Sequence, residues 1–234
     1  LFVSLLTYTP ESERLVATAA RLCYSAADCQ ALIKRSEPAD DRRMINKVLD
    51  IGHHGVLEHA VFTFAVEGVS RALTHQLVRH RVASFAQQSQ RYVDFDGGFK
   101  YEMPPTIAEQ PELAARFDDE MRRLAALYAE LRAAGIAAED ARFVLPNAAH
   151  SRLLMTMNAR ELRHFFRLRC CRRAQWEIRD LAKNMLKEVF KVAPALFQKA
   201  GPGCLTGACP EGEMSCGAAT EVRREFADLV SSVT

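Results

Sequence analysis

The sequence predicts an α+β fold, a mixed sheet flanked by helices. Three observations predict it. Residues 2–8, 61–66 and 153–157 are rich in β-branched and apolar side chains and read as strands, while much of the remaining chain carries apolar residues at helical spacing. The two kinds of element are interleaved without the regular alternation of a doubly wound sheet. The glycine fingerprint of a dinucleotide fold is also absent. Gly201 and Gly203 follow a helix rather than a strand, so any nucleotide is held another way.

Each element has its own signal. After the strand at 2–8, Pro10, Glu11 and Ser12 open a helix that carries Leu15, Ala19 and Leu22 on one face. A second helix is expected from 38 to 51, begun by Pro38 and stopped by Gly52. The strand at 61–66 ends near Gly68, and 69–78 reads as a helix. Residues 84–93 form a strand or an extended loop that leads into a turn over 94–98. The longest helix spans 112–134 and is closed by Gly135. A short helix at 138–145 ends before Pro146. Helices at 161–169 and 174–192 follow the strand at 153–157, the second stopped by Pro194. From Gly201 the chain becomes rich in Gly, Cys and Pro. The expected division is a catalytic domain over 1–200 and a C-terminal appendage over 201–234.

Composition narrows the function classes. With 234 residues the chain can bury a substantial core. A net charge of +2 argues against a surface coated for nonspecific nucleic-acid binding. No apolar run approaches the roughly 18 residues of a membrane helix, and no signal peptide opens the sequence. Leu1 is not an initiator, which leaves room for a short preceding segment. Seven cysteines in a chain too long to depend on disulfides for its core point to a reducing cytoplasm.

The arginines crowd into 71–91 and 152–179. Clustered arginine on a nearly neutral protein marks a local anion site, because the planar guanidinium grips phosphate in bidentate fashion. The richest stretch is Arg79-His80-Arg81-Val82-Ala83-Ser84-Phe85-Ala86-Gln87-Gln88-Ser89-Gln90-Arg91-Tyr92, which offers many donors and no acid. Read from composition alone it fits either a phosphate-bearing ligand or an RNA clamp. Ser89 and His80 are a poor Ser-His-Asp pair, since no adjacent histidine–acid partner activates the serine.

The order of the residues is more specific. Arg79-His80-Arg81, seven residues and then Ser89 resembles the signature of the flavin-dependent thymidylate synthases. Gly52-His53-His54-Gly55 with Glu58-His59-Ala60-Val61-Phe62-Thr63-Phe64 resembles that family's histidine loop and following strand, and Gln76-x-x-Arg79 its nucleotide-binding turn. Ala141-Arg142-Phe143-Val144-Leu145-Pro146, Asn158-Ala159-Arg160, and Leu168-Arg169 before Ala174-Gln175-Trp176-Glu177-Ile178 continue the likeness in order. One departure stands out. The family often has Asn-Glu where this chain has Ala86-Gln87, so an amide replaces a carboxylate.

The resemblance implies methylation of dUMP to dTMP. FAD would be the cofactor, NADPH the source of reducing equivalents, and 5,10-methylenetetrahydrofolate the carbon donor. It implies Arg169 as the catalytic arginine beside the uracil ring. It implies His53, Arg79, His80, Arg81, Gln87, Asn158, Ala159, Arg160 and His164 as cofactor contacts. The dUMP contacts it implies are Gln76, Leu77, Val78, Arg79, Gln87, Gln88, Ser89, Gln90, Arg91, Arg142 and Arg169. A homotetramer with sites shared between subunits is implied as well. Outside these motifs the expectations are plainer: His59 as a core histidine, Trp176 as helix packing, and Arg172, Arg173 and Arg179 as surface charge. In the tail, Cys204, Cys209 and Cys216 with Cys170 or Cys171 could ligate metal, form disulfides or stay free. Their spacing lacks the Cys-x-x-Cys pairs of a zinc ribbon.

Overall fold

The computed structural model describes residues 1–34, 37–95 and 97–232. Its strands are β1 (Phe2–Tyr8), β2 (Val61–Ser70), β3 (Ala83–Gln87) and β4 (His150–Asn158), joined in the order β1-β2-β4-β3. The helices are α1 (Ser12–Tyr24), α2 (Cys29–Lys34), α3 (Pro38–Asp50), α4 (Arg71–Leu77), α5 (Pro105–Ala108), α6 (Pro111–Ala133), α7 (Ala138–Ala141), α8 (Ala159–Arg169), α9 (Trp176–Val192), α10 (Pro194–Phe197) and α11 (Ala219–Ser231). The class is α+β. The sheet is antiparallel where its register can be read, rather than mixed. Thr9 N–H donates to Val61 while Leu1 lies beside Gly68, and Thr63 meets Thr156 while Arg71 N–H donates to Ala149.

The chain gathers into two compact units. The first comprises residues 1–2, 65–79 and 85–154. Val69, Leu73, Leu77, Met121, Tyr128 and Leu153 are buried in it. Its long helix α6 begins at Pro111 and closes at Gly135. There φ is +85°, Gly135 N–H donates to Arg132 and Ile136 N–H donates to Leu131. This is a Schellman ending, in which the left-handed residue favours glycine.

The second unit comprises residues 3–64, 80–84 and 155–234. Val16, Ala20, Ile45, Val48, Phe62, Phe64, Leu162, Phe165, Phe166, Leu181, Met185 and Phe197 fill its core. α1 packs on α3, and α9 carries buried Ile178, Leu181, Met185, Leu186 and Val189 along one face. Arg21 and Asp41 form a buried ion pair whose nearest atoms are 2.6 Å apart.

Several boundaries move for physical reasons. β2 runs past Gly68, whose φ of +71° lets the strand bend without ending, and helix α4 therefore starts only at Arg71. Ser70 caps it by accepting Leu73 N–H at 3.0 Å. β4 is longer than its apolar centre, because Ser151 continues the buried alternation set by Leu153, Met155 and Met157. The 138–145 stretch is α7 followed by a 3-10 turn over Arg142–Val144.

Beyond Gly201 the chain forms two 3-10 turns and then α11. Val222, Phe226 and Leu229, at helical spacing, are the buried face of α11, which packs against α9 within the second unit. Arg223 holds the preceding loop by donating to the carbonyls of Cys204 and Gly207, both at 2.9 Å. All seven cysteines are free. No three metal-ligating side chains converge among the described residues, and no helix among them is long and apolar enough to cross a membrane.

Candidate active site

Helix α8 sets the geometry of the second unit's site. Its N-cap, Asn158, accepts Glu161 N–H at 2.9 Å. Glu161, Phe165 and Arg169 follow at intervals of four and so share one helix face. His80 lies along that face and is almost wholly buried, at 5 % exposure. Its Nδ1 is 3.1 Å from Glu161 Oε1, its Nε2 accepts from Arg169 Nε at 3.0 Å, and its ring meets Phe165 edge-on at 5.0 Å. His164 adds a second edge contact at 6.0 Å.

These contacts define a proton position. Guanidinium nitrogens only donate, so Nε2 of His80 must present a lone pair, and the ring proton sits on Nδ1 facing Glu161. Burial is the main influence on His80 and lowers its pKa below the ordinary histidine value. The Glu161 hydrogen bond opposes the shift, and the Arg169 charge adds to it. Burial also lowers the pKa of Arg169, which is half-buried.

The same unit contains a cavity of about 1100 Å³. Its lining comes from distant parts of the sequence, including His54 and Glu58 after α3, Val82, and Asn158, Arg160 and His164 on and before α8. Arg160 is exposed and ion-paired with Glu58 at 2.5 Å. The tail closes another stretch of wall with Gly201, Pro202, Gly203, Thr206 and Gly207. Gly203 is required there: a Cβ would stand 2.7 Å from Pro210. Arg163, also at the lining, is held at about 10 by burial and clamps the carbonyls of Leu196 and Gln198 at 2.7 and 3.1 Å.

The first unit holds a separate constellation. Gln87 Nε2 donates to Ser151 Oγ at 2.9 Å and to Thr74 Oγ1 at 3.1 Å. Gln88 N–H donates to Arg152, and Ser89 Oγ accepts Arg91 N–H at 3.1 Å. Arg91 Nε reaches Glu139 Oε2 at 2.6 Å, while Arg142 Nε donates to the Glu139 carbonyl at 3.0 Å. Gln90 is half-buried in the same stretch. Gln76, Val78 and Arg79 lie at and beyond the end of α4, with Val78 and Arg79 exposed. Leu77 is fully buried, so only its backbone can meet a ligand.

The expected cofactor residues divide between the units. His80, Arg81, Asn158, Ala159, Arg160, His164 and His53 belong to the second, and Arg79 and Gln87 to the first. Arg81 is exposed and Ala159 fully buried. In the histidine loop it is His54 that lines the cavity, while His53 Nδ1 pairs with the Tyr24 hydroxyl at 2.8 Å. His59 is exposed, which corrects its reading as a core histidine: the 3-10 turn over His54–His59 buries Val56 and Leu57 instead. Trp176 opens α9 half-buried. Arg172, Arg173 and Arg179 hold the tail and loops, to Glu221, to the Met214 carbonyl and to the Arg172 carbonyl. Sequence reasoning missed Glu161, Arg163 and the tail wall. Only Glu161 left a signal, at the third position after the Asn158 cap.

Comparison with known proteins agrees across the chain. The family model described as thymidylate synthase complementing protein matches residues 4–195. The flavin-dependent thymidylate synthase of Geobacter sulfurreducens is 53% identical over 228 residues, covering 97% of this chain and 98% of that protein. The Clostridium tetani protein of the same name is 47% identical, covering 96% of each. Among solved structures, a UMP/dUMP methylase from Streptomyces cacaoi bound with 5-Br dUMP matches with a TM-score of 0.72 and 26% identity, over 84% of this chain and 93% of that one. A flavin-dependent thymidylate synthase from Helicobacter pylori complexed with FAD and dUMP matches at 0.70 and 25% identity, over 86% and 100%.

Proposed function

We propose a division of labour among these residues from the premise that the chain belongs to the flavin-dependent thymidylate synthase family. The enzyme converts dUMP to dTMP with FAD as cofactor. The convergence of His54, Glu58, Val82, Asn158, Arg160 and His164 on one cavity carries the assignment of the cofactor site. The donor set suits FAD. Arg160, Arg167, Lys199 and His164 offer positive or donor groups to a diphosphate, and the volume is slightly above the roughly 300–1,000 Å³ typical of ligand pockets, as a large dinucleotide requires. His53, Arg79, His80, Arg81, Gln87 and Ala159 complete the cofactor's surroundings. Bound FAD supplies the hydride that completes the methyl group.

The substrate groups are Gln76, Leu77, Val78, Arg79, Gln87, Gln88, Ser89, Gln90, Arg91 and Arg142, with the arginines facing the phosphate. Ser89 binds rather than attacks: its hydroxyl is engaged in a turn contact with Arg91 N–H, not with a base. Arg169 activates the uracil. A guanidinium beside nitrogen 3 stabilises the deprotonated ring and raises electron density at carbon 5, an effect of about 3–4 kcal/mol on the scale of one oxyanion donor. The carbon comes from 5,10-methylenetetrahydrofolate and the reducing equivalents from NADPH. The working form is a cytoplasmic homotetramer whose sites draw on more than one subunit.

The test is tritium release from carbon 5 of labelled dUMP with FAD, NADPH and methylenetetrahydrofolate present. Release that requires all three supports the scheme. Purified protein that refuses FAD and binds RNA with steep salt dependence overturns it.

A further inference from the structure

Both ring nitrogens of His80 are spent inside the protein. Nδ1–H faces Glu161 Oε1 at 3.1 Å, and Nε2 receives the Nε–H of Arg169 at 3.0 Å. We propose that His80 is a positioning residue, anchored by Glu161, that fixes the plane of the Arg169 guanidinium for the uracil edge and does not bind the flavin through its ring nitrogens.

The sequence builds this arrangement from one helix face and one buried ring. Long side chains on a helix lean toward its N-terminus, so Arg169 reaches back along α8 over Phe165 toward Glu161. His80 fits in that path and touches all three residues. A guanidinium is planar, so directing its Nε–H at a fixed acceptor fixes the whole plane and the terminal nitrogens with it. Without that acceptor the guanidinium loses the contact that holds its Nε edge, and the rotamers of the arginine stem are less restricted.

The acceptor must itself be held in the right tautomer. Glu161, secured in the first turn of α8 by the Asn158 cap, takes the Nδ1 proton and leaves the Nε2 lone pair for Arg169. A protonated ring would set two N–H groups against each other. Burial keeps His80 on the neutral side. The groups whose charges act on the ring are Glu161, Arg169 and His164. Misplacing a polarising group by about 1 Å can cost a hundredfold in rate.

The inference rests on Arg169 being the catalytic arginine, and the experiment separates the two claims. The holoenzyme would be compared as wild type, His80→Phe, His80→Gln, Arg169→Ala and the His80→Phe/Arg169→Ala double variant. Turnover would be measured at saturating dUMP, with FAD affinity read from flavin fluorescence. His80→Phe is expected to lose about a hundredfold in kcat, with a far smaller change in FAD affinity. His80→Gln recovers much of that loss, because one amide can accept from Arg169 and donate to Glu161. In the Arg169→Ala background, His80→Phe adds no further loss. Normal kcat in His80→Phe, or a defect cured by saturating FAD, overturns the proposal. If His80→Phe does not fold, His80→Gln decides alone: activity as low as that of Arg169→Ala overturns it. Near-normal activity of Arg169→Ala would instead remove the catalytic arginine itself.

Discussion

Gln87 and Ser151 are joined by a hydrogen bond of 2.9 Å from the amide Nε2 to the hydroxyl Oγ, and the same nitrogen donates to Thr74 Oγ1 at 3.1 Å. This gives physical content to the departure noted in the sequence, an amide where the family often has a carboxylate. Hydroxyls donate as readily as they accept. A carboxylate at 87 would keep the Ser151 contact with its direction reversed but lose the Thr74 contact, because Thr74 Oγ1 already donates its one hydrogen to the Arg71 carbonyl at 3.0 Å.

Gln87→Glu is therefore expected to cost about 1 kcal/mol, the scale of one hydrogen bond, and Gln87→Ala, which loses both contacts and leaves Ser151 Oγ without this donor, about 1–3 kcal/mol. Urea unfolding of the two variants checks this. Unchanged stability in Gln87→Ala would mean that the bridge carries none.

Arg169→Lys is expected to lower turnover by about two to three orders of magnitude, since an ammonium lacks both the planar fork and the Nε–H that meets His80. Steady-state dTMP formation measures it. Near-normal rates would remove Arg169 from the chemistry.

The pH dependence has a definite sign. Burial lowers the pKa of His80 in the folded state, so its stabilising contribution is complete above its unfolded value of about 6.5 and is lost as pH falls through the lowered folded value. Turnover should fall over the same acid range, because protonation of Nε2 expels the Arg169 contact. The pH profile of kcat should lose this acid limb in His80→Gln. An unchanged limb would assign it to another group.

The Arg21–Asp41 pair is buried on both sides, at 9% and 7% side-chain exposure. Asp41→Ala leaves a buried guanidinium without its counter-charge and should destabilise the protein by about 3–5 kcal/mol. Thermal unfolding with flavin-binding assays at low temperature would show lost stability with the site intact.

Sharing of sites between subunits is tested by complementation. Arg91→Ala and Arg169→Ala proteins, each inactive alone, should regain activity when mixed under subunit exchange, because some sites then draw both arginines from intact sources. Verified mixed tetramers without activity would refute the shared site.

The sequence by itself determined the class and the chemistry. Strand runs at 2–8 and 61–66, the Pro38 start and the Gly52 and Gly135 stops are local signals, legible because backbone preferences act within a few residues. The ordered motifs around His80, Asn158 and Arg169 gave the family, since they are spelled in consecutive residues. Helix α11 was also written locally, in Val222, Phe226 and Leu229, but the Gly- and Cys-rich stretch before it masked the pattern.

Only the tertiary structure decided what each group faces. Glu161 reads as one more helix acid until His80, 81 residues away, is brought against it. His54 rather than His53 turns to the cavity, and Gly203 becomes necessary because Pro210 folds onto it. Such facts depend on packing between segments far apart in the chain, and no local propensity encodes which way a side chain finds its partner.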